Sequence, residues 1–266
     1  MKVFVIDKAR CNGCHGCQLA CKDEHCGNDW MPYQKPQPEV GHFWMKVNQI
    51  THGQTPKVKV EYTPTMCQHC DNPACLPACP QEAISKREDG LVCIDPAKCV
   101  GCKSCMEACP YDVIYHNEEC GICQKCDGCA HLVDGGEIPH CVDMCATEAI
   151  RFGEEEDFAE EIAKATTMLP EAGCRPRVYY LNEPGLFIGG EVWDPIDDEI
   201  IEGATITLTG DAQMTATSDS WGDFWFKKLA AGSYHVAIAC EGYEGVELDV
   251  ELDKSLNIGD FPLKRA

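Results

Sequence analysis

Hydrophobic positions in this 266-residue chain fall into two regimes that meet near residue 185. In the first, apolar runs are short and isolated. Met1 to Ile6 reads as a Val/Phe/Ile strand. Ala83-Ile84 and Leu91-Val92-Cys93-Ile94 flank a segment ending in Asp89-Gly90, and two short strands around an Asp-Gly predict a hairpin. Residues 27–66 are rich in proline and aromatics (Trp30, Pro32, Tyr33, Pro36, Pro38, Phe43, Trp44) and predict a covering loop that turns strand-like at Val58 to Tyr62. After Cys145, Phe158, Ile162, Ala165 and Leu169 recur at helical spacing until Pro170. Glu154 to Asp157 put acids in the first turn, where the helix dipole favours them, so a helix is predicted here.

In the second regime, alternating β-branched and aromatic runs are separated by turn residues at short intervals. Phe187 to Trp193, Ala204 to Thr209, Gln213 to Thr217, Asp223 to Phe226, Tyr234 to Ala239 and Val246 to Leu252 predict an all-β sandwich or barrel over residues 186–266. Trp221, Trp225 and Tyr234 read as core or interface aromatics, and no catalytic constellation stands out.

Cysteine changes the picture of the first regime. Sixteen of the 22 cysteines form four quartets: Cys11-Cys14-Cys17-Cys21, Cys67-Cys70-Cys75-Cys79, Cys99-Cys102-Cys105-Cys109 and Cys126-Cys129-Cys141-Cys145. The first and third have the spacing C-x2-C-x2-C-x3-C by which bacterial ferredoxins hold [4Fe–4S] clusters, three thiolates wrapping one cube and the fourth reaching another. Zinc ribbons instead use two Cys-x2-Cys pairs with a longer gap, a poor match to these triplets. A repeat is visible as well: Cys79-Pro80-Gln81-Glu82-Ala83-Ile84, Cys109-Pro110-Tyr111-Asp112-Val113-Ile114 and Cys145-Ala146-Thr147-Glu148-Ala149-Ile150 each run from a last cysteine through a turn and an acidic residue into an apolar strand. Units this small bury too little apolar surface to stand alone, so metal insertion and folding are expected to be coupled. Cys26, Cys93, Cys174 and Cys240 belong to no quartet and read as buried free thiols. Cys120 and Cys123 extend the fourth quartet into a ladder in which ligands could be chosen differently.

Charge narrows the partners. With 44 acidic and 22 basic residues the formal charge is −22, which excludes nucleic acid and an anionic membrane surface as natural partners. Half of it, −11 from 16 acidic and 5 basic residues, lies in the β-region. The N-terminus shows no basic, apolar and small-residue sequence of an export signal, and no stretch approaches a membrane span. The expected setting is a reducing compartment, the cytoplasm, where thiols bind metal instead of pairing.

The quartets resemble those of the iron–sulfur electron-transfer subunits of the dimethyl sulfoxide reductase family of molybdenum or tungsten enzymes. The resemblance covers about residues 1–185. The spacings C-x2-C-x4-C-x3-C-P of the second quartet and C-x2-C-x11-C-x3-C of the fourth carry it, as does Arg177-Val178-Tyr179-Tyr180-Leu181. The resemblance implies crossed ligand sets: Cys11, Cys14, Cys17 and Cys145; Cys126, Cys129, Cys141 and Cys21; Cys67, Cys70, Cys75 and Cys109; Cys99, Cys102, Cys105 and Cys79. It implies an α+β fold of tandem bacterial-ferredoxin-like [4Fe–4S] units. An outer unit would run over 1–66 and 117–153 and an inserted one over 67–116, with a helix and linker over 154–185. Three to four clusters would form an electron relay.

The β-region is similar to transthyretin-like (Ig-like) and carboxypeptidase regulatory-like modules through Gly190-Glu191-Val192-Trp193, Gly203 to Leu208, Gly222 to Phe226, Leu229 to Tyr234 and Gly242-Tyr243. A four-quartet subunit with such a domain and no anchor resembles the transhydroxylase branch of the family, heterodimeric anaerobic enzymes that move a hydroxyl between phenols. The implied partner is a large catalytic subunit carrying molybdenum and molybdopterin guanine dinucleotide, with no catalytic residue on this chain. Two other readings stay open: a free polyferredoxin shuttling electrons among several enzymes, and structural clusters supporting a binding β-domain.

Overall fold

A computed structural model describes all 266 residues and divides into two compact units: Met1–Gln49 with Tyr62–Glu183, and Ile50–Glu61 with Pro184–Ala266. Helices are few and short, and none is long and apolar enough to cross a membrane. The elements before the β-region are β1 (Lys2–Asp7), α1 (Gly16–His25), β2 (Lys46–Gln54), β3 (Lys57–Thr65), β4 (Ile84–Lys86), β5 (Val92–Ile94), α2 (Ser104–Ala108), β6 (Tyr115–Asn117), β7 (Ile122–Gln124), α3 (Ala130–Asp134), α4 (His140–Asp143), β8 (Ile150–Glu154), α5 (Ala159–Ile162) and β9 (Val178–Leu181).

Strand β1 is the axis of the first unit. Val3, Phe4, Val5 and Ile6 are all at most 1% exposed, so both faces are covered and the apolar run is continuous instead of alternating. It pairs antiparallel with β8 (Phe4 opposite Phe152) and parallel with β9 (Phe4 opposite Val178). Arg177, itself 2% exposed, locks this junction. Its guanidinium donates to the carbonyls of Met1 and Lys2, to Asp71 in the second quartet and to Glu155. Strands β4 and β5 form the hairpin predicted around Asp89-Gly90, and Gly90 takes a φ of +95° in the turn.

The helix predicted from Glu154 to Leu169 is largely absent. Ile150–Glu154 is instead strand β8, residues 155–158 form a 3₁₀ turn, and α5 ends at Ile162. Pairing with β1 claims the start of the segment. Its end is claimed by Thr166, whose backbone exchanges hydrogen bonds with Tyr180 at 2.9 and 2.8 Å, and Leu169 is left 40% exposed. The covering loop contains a strand that the sequence pattern did not predict, β2, paired with β3.

The second unit is a sandwich of two antiparallel-rich sheets. Its strands are β10 (Leu186–Asp194), β11 (Glu199–Ile200), β12 (Thr205–Gly210), β13 (Met214–Thr217), β14 (Asp223–Leu229), β15 (Gly232–Ala239), β16 (Val246–Leu252) and β17 (Leu256–Pro262). One sheet has the order β11-β10-β14 with β17 parallel to β10, and the other β13-β12-β15-β16. The inward positions Ile188, Val192, Ile206, Leu208, Phe224, Phe226, Val236 and Ile238 are at most 1% exposed and make its core, as facing sheets require. Of the three aromatics read as core or interface, Tyr234 is core and donates its hydroxyl to the Ala230 carbonyl. Trp225 is half-buried against Phe187, and Trp221 is 74% exposed on a turn. Strand β17 falls in a segment where Asn257, Gly259 and Asp260 interrupt the apolar alternation, so the sequence pattern did not announce it.

Candidate metal centres

The quartet loops turn by a shared backbone device. In Cys11-Asn12-Gly13-Cys14, Cys99-Val100-Gly101-Cys102 and Cys126-Asp127-Gly128-Cys129 the glycine before the second cysteine has φ of +72°, +67° and +73°. Left-handed backbone is costly for residues with a Cβ, and the turn folds the two thiols toward one point. The second quartet uses His69 there, at φ +44°. The acidic residues of the repeat share a second device. Glu82, Asp112 and Glu148 have φ of +48°, +50° and +51°. Their N–H groups donate to the carbonyls of Cys79, Cys109 and Cys145 at 3.2, 3.5 and 2.8 Å. The repeat therefore encodes a turn that ends each quartet and launches the next segment.

These turns gather the cysteines into four sets. Site A, a small cavity, is lined by Cys11, Cys14, Cys17 and Cys145. Site C is lined by Cys67, Cys70, Cys75 and Cys109, and site D by Cys79, Cys99, Cys102 and Cys105. In site B, Cys21, Cys126, Cys129 and Cys141 are each 5–8% exposed. Burial pushes the thiols of Cys126, Cys129 and Cys141 up, and the charge of Cys21 adds to each shift. Cys17 in site A and Cys70 in site C are both pushed up to about 12, by burial first and then by neighbouring thiols, Cys11, Cys145 and Cys14 for the one and Cys67, Cys174, Cys75 and Cys109 for the other. Buried thiols crowded together without a cation resist ionisation, whereas a bound metal centre makes the thiolate the stable form. An all-sulfur donor set lining such a cavity fits a soft-metal or iron–sulfur group.

The C-x3-C ends explain the crossing. Cys17 and Cys21 lie one helical turn apart on α1, and the first faces site A while the second belongs to site B. Cys141 and Cys145 straddle the same two sites from α4, and Cys75/Cys79 and Cys105/Cys109 straddle C and D. Between neighbouring sites, Cys17 bears on Cys141, Cys67 on Cys126, and Cys75 on Cys105. The order is therefore A, B, C, D. Its two ends open to solvent through Cys14 and Cys102, the only exposed cysteines.

Two residues that the sequence reading did not single out, Lys125 and His69, and two that it left outside the quartets, Cys123 and Cys174, also lie at these sites. Cys123, 2% exposed, lines site D and donates its backbone N–H to Cys99 Sγ at 3.3 Å. Cys174 lines site C as a fifth thiol, while Cys120 lies outside these cavities, near Asn117 Nδ2 at 3.6 Å. Of the thiols expected to be free and buried, only Cys174 is fully so. Cys26, Cys93 and Cys240 are half-buried because their segments lie near the edges of their cores. Lys125 and His69 are wholly buried between sites B and C. The Lys125 ammonium donates to the carbonyls of Val92 and Cys126, and burial, which would neutralise it, is outweighed by Cys67, Cys93, Cys75 and Cys126. Burial, then Lys125, holds the pKa of His69 well below the usual histidine value. Its Nδ1 accepts the Val92 N–H at 3.0 Å, so the proton sits on Nε2, 3.7 Å from Cys126 Sγ.

Comparison with known proteins agrees with this geometry. Residues 58–155 match the 4Fe-4S dicluster domain family and residues 188–264 the carboxypeptidase regulatory-like domain family. The chain is 35% identical to the pyrogallol hydroxytransferase small subunit of Pelobacter acidigallici, over 98% of each chain. It is 35% identical to a polypeptide of the anaerobic dimethyl sulfoxide reductase of Escherichia coli, over 70% of this chain and 86% of that one. It is 32% identical to the arsenate respiratory reductase iron-sulfur subunit of a Shewanella species, over 69% of this chain and 97% of that one. With four thiol sets gathered from these quartets and full-length similarity of this kind, the chain belongs to the family of iron–sulfur subunits of dimethyl sulfoxide reductase-type oxidoreductases.

Proposed function

We propose that this chain is the electron-relay subunit of a heterodimer whose large subunit carries molybdenum and molybdopterin guanine dinucleotide. The observation that carries the reading is the ordered row A–B–C–D, closed in the middle and open at both ends. Site A would be held by Cys11, Cys14, Cys17 and Cys145, and site B by Cys21, Cys126, Cys129 and Cys141. Site C would be held by Cys67, Cys70, Cys75 and Cys109, and site D by Cys79, Cys99, Cys102 and Cys105. The sites fit four [4Fe–4S] clusters, each of which supplies one-electron redox chemistry when bound.

What the chain itself contributes is spacing, dryness and charge. The C-x3-C pairs tie each site to its neighbour through a short stretch of chain, the buried thiols of the second site keep water out, and Lys125 and His69 supply positive charge and an N–H donor in the interior. Exposed apolar side chains rim both ends, Leu19 and Met144 near site A and Val100 in the loop of site D. They offer an electron donor and an acceptor separate surfaces. We read residues 67–116 as a ferredoxin-like unit inserted in an outer one, 1–66 with 117–153.

The full-length similarity to the small subunit of pyrogallol hydroxytransferase supports a finer reading, that the partner moves a hydroxyl between phenols in an anaerobic cytoplasm. Such a transfer is redox-neutral overall, so the relay would set or reset the oxidation state of the partner's molybdenum. Purification from the native host tests the proposal. A stable complex with a large chain containing molybdenum, active on phenols, is expected. An isolated chain that binds several enzymes weakly and in a salt-sensitive way would favour the polyferredoxin reading.

A further inference from the structure

Outside the thiol sites, the densest group of buried and unpaired polar atoms lies where the end of α1 meets the segment leading into α3. His25 is 1% exposed, Asp127 0%, and the His131 side chain 7%. One ring nitrogen of each histidine and one carboxylate oxygen of Asp127 lie within 4.8 Å of one another. His25 Nε2, Asp127 Oδ2 and His131 Nδ1 are each buried without a hydrogen-bond partner. Buried polar atoms are rarely left so, and three together ask for an explanation.

One atom of each group is already engaged. His25 Nδ1 donates to the Cys21 carbonyl at 2.9 Å, and His131 Nε2 lies 2.9 Å from Glu24 Oε1. Asp127 Oδ1 accepts the Cys129 N–H at 2.9 Å. Each imidazole has one nitrogen engaged outward and, in its neutral form, keeps a lone pair on the other, the arrangement in which a backbone carbonyl or a carboxylate orients a histidine for a metal. The rings are held by packing: Trp30 stacks on His131 at 4.3 Å, and Trp44 lies against His25 at 4.7 Å.

A metal-free ion pair accounts poorly for this geometry. His25 Nε2 is 3.8 Å from the nearer Asp127 oxygen, beyond a hydrogen bond, and leaves His131 Nδ1 unexplained. Ligands on a tetrahedral zinc, at ~2.0–2.2 Å from the ion, lie roughly 3.4 Å apart. The three donors need to draw in by about an ångström or less.

We propose that His25, Asp127 and His131 bind one divalent transition ion of the zinc type, separate from the four thiol sites, with Glu24 positioning His131. Two imidazoles and a carboxylate suit Zn²⁺ or Fe²⁺ over calcium or magnesium. The burial of all three ligands makes the ion a clamp joining α1 to α3 beside site B. The inference does not depend on the identity of the redox partner.

The test is anomalous diffraction at the zinc and iron edges from the native complex, crystallised after incubation with Zn²⁺, together with metal analysis of variants. The expected result is a single peak at one edge among the three side chains, with one such ion per chain beyond the cluster iron. His131→Ala should lose that ion with cluster iron unchanged. Glu24→Gln should weaken its affinity tenfold or more, since an outer partner of a ligating histidine contributes about that much. No peak at either edge overturns the proposal, and so does an unchanged content of the ion found there in His131→Ala. If the alanine variant fails to accumulate, the wild-type crystal decides alone.

Discussion

The Lys125 ammonium, completely buried, donates to the carbonyl of Cys126 at 3.0 Å. It stays charged because thiols of two different sites surround it, Cys67 and Cys75 of site C and Cys126 of site B. A fixed positive charge favours the reduced, more negative state of any cluster beside it. At roughly 6 Å and an effective dielectric of ~20, one unit charge is worth about 3 kcal/mol, or on the order of 0.1 V. Lys125→Met should therefore lower the reduction potentials of two clusters and leave those of the outer pair nearly unchanged. A potentiometric titration followed by electron paramagnetic resonance reads this. Equal shifts in all centres, or none, would count against the interior role of Lys125.

The loop of the third quartet offers a sharper mutational test. Gly101 has φ +67°, and a Cβ there would stand 2.4 Å from the carbonyl oxygen of Gly121 and 2.9 Å from His116 Nε2. Backbone does not yield easily, so Gly101→Ala combines a left-handed penalty of ~1–2 kcal/mol with a clash. Site D should lose its cluster, with iron falling by about four atoms per chain while the other sites stay loaded. Gly121→Ala, with nothing within 4 Å of its Cβ, carries only the left-handed penalty and should retain the cluster.

Iron removal should act on one unit and spare the other. The main core of the first unit is assembled around Cys17, Cys21, Cys67, Cys70, Cys126 and Cys141, whereas the sandwich core contains only Cys240, at its margin. After oxidative removal of iron under chelation, hydrogen exchange should rise across β1, β8 and β9 and stay slow in β12, β14 and β15 of the same full-length chain. Retained protection in both units would mean that the thiol sites are not needed for folding.

The sandwich has its own acid sensitivity, set by Asp194. Its carboxylate accepts the Ile196 N–H, the Tyr243 hydroxyl and the Arg265 guanidinium, each at 2.8 Å. Burial opposes ionisation, yet these donors outweigh it and hold the pKa down to about 2. A depressed carboxylate stabilises the fold above its unfolded value, ~3.9, and that contribution is lost as pH falls toward 2. In the intact chain, β10 should exchange faster in Asp194→Asn than in the wild type at pH 5, with the difference shrinking as pH is lowered to 2. A difference that is constant with pH would remove Asp194 from the account.

How much of this could be read from sequence depends on what kind of order each part carries. Cys-x-Gly-Cys and the acidic turn residues Glu82, Asp112 and Glu148 encode backbone turns locally, so the four quartets and the hairpin at Asp89-Gly90 were legible, whereas the crossing of cysteines between quartets came only from the family resemblance. The run from Phe158 to Leu169 was not, because pairing of Ile150–Glu154 with β1 and the bridge at Thr166 are long-range and override helical spacing. Lys125 and His69 look like ordinary residues of polar or cysteine-rich loops, and only the packing of distant segments buries them between the sites. The same holds for His25 and His131, which share no motif and meet through α1 and α3.

The central claim is a continuous row of redox centres running from Cys14 to Cys102. Its most direct measurement is the iron content and reductive titration of the anaerobically purified complex. About sixteen irons per chain and four one-electron centres, magnetically coupled to their neighbours in the order A, B, C, D, are predicted. A folded, active complex in which the chain holds no iron, or in which the loaded sites take up no electrons between roughly −700 and +450 mV, would contradict it.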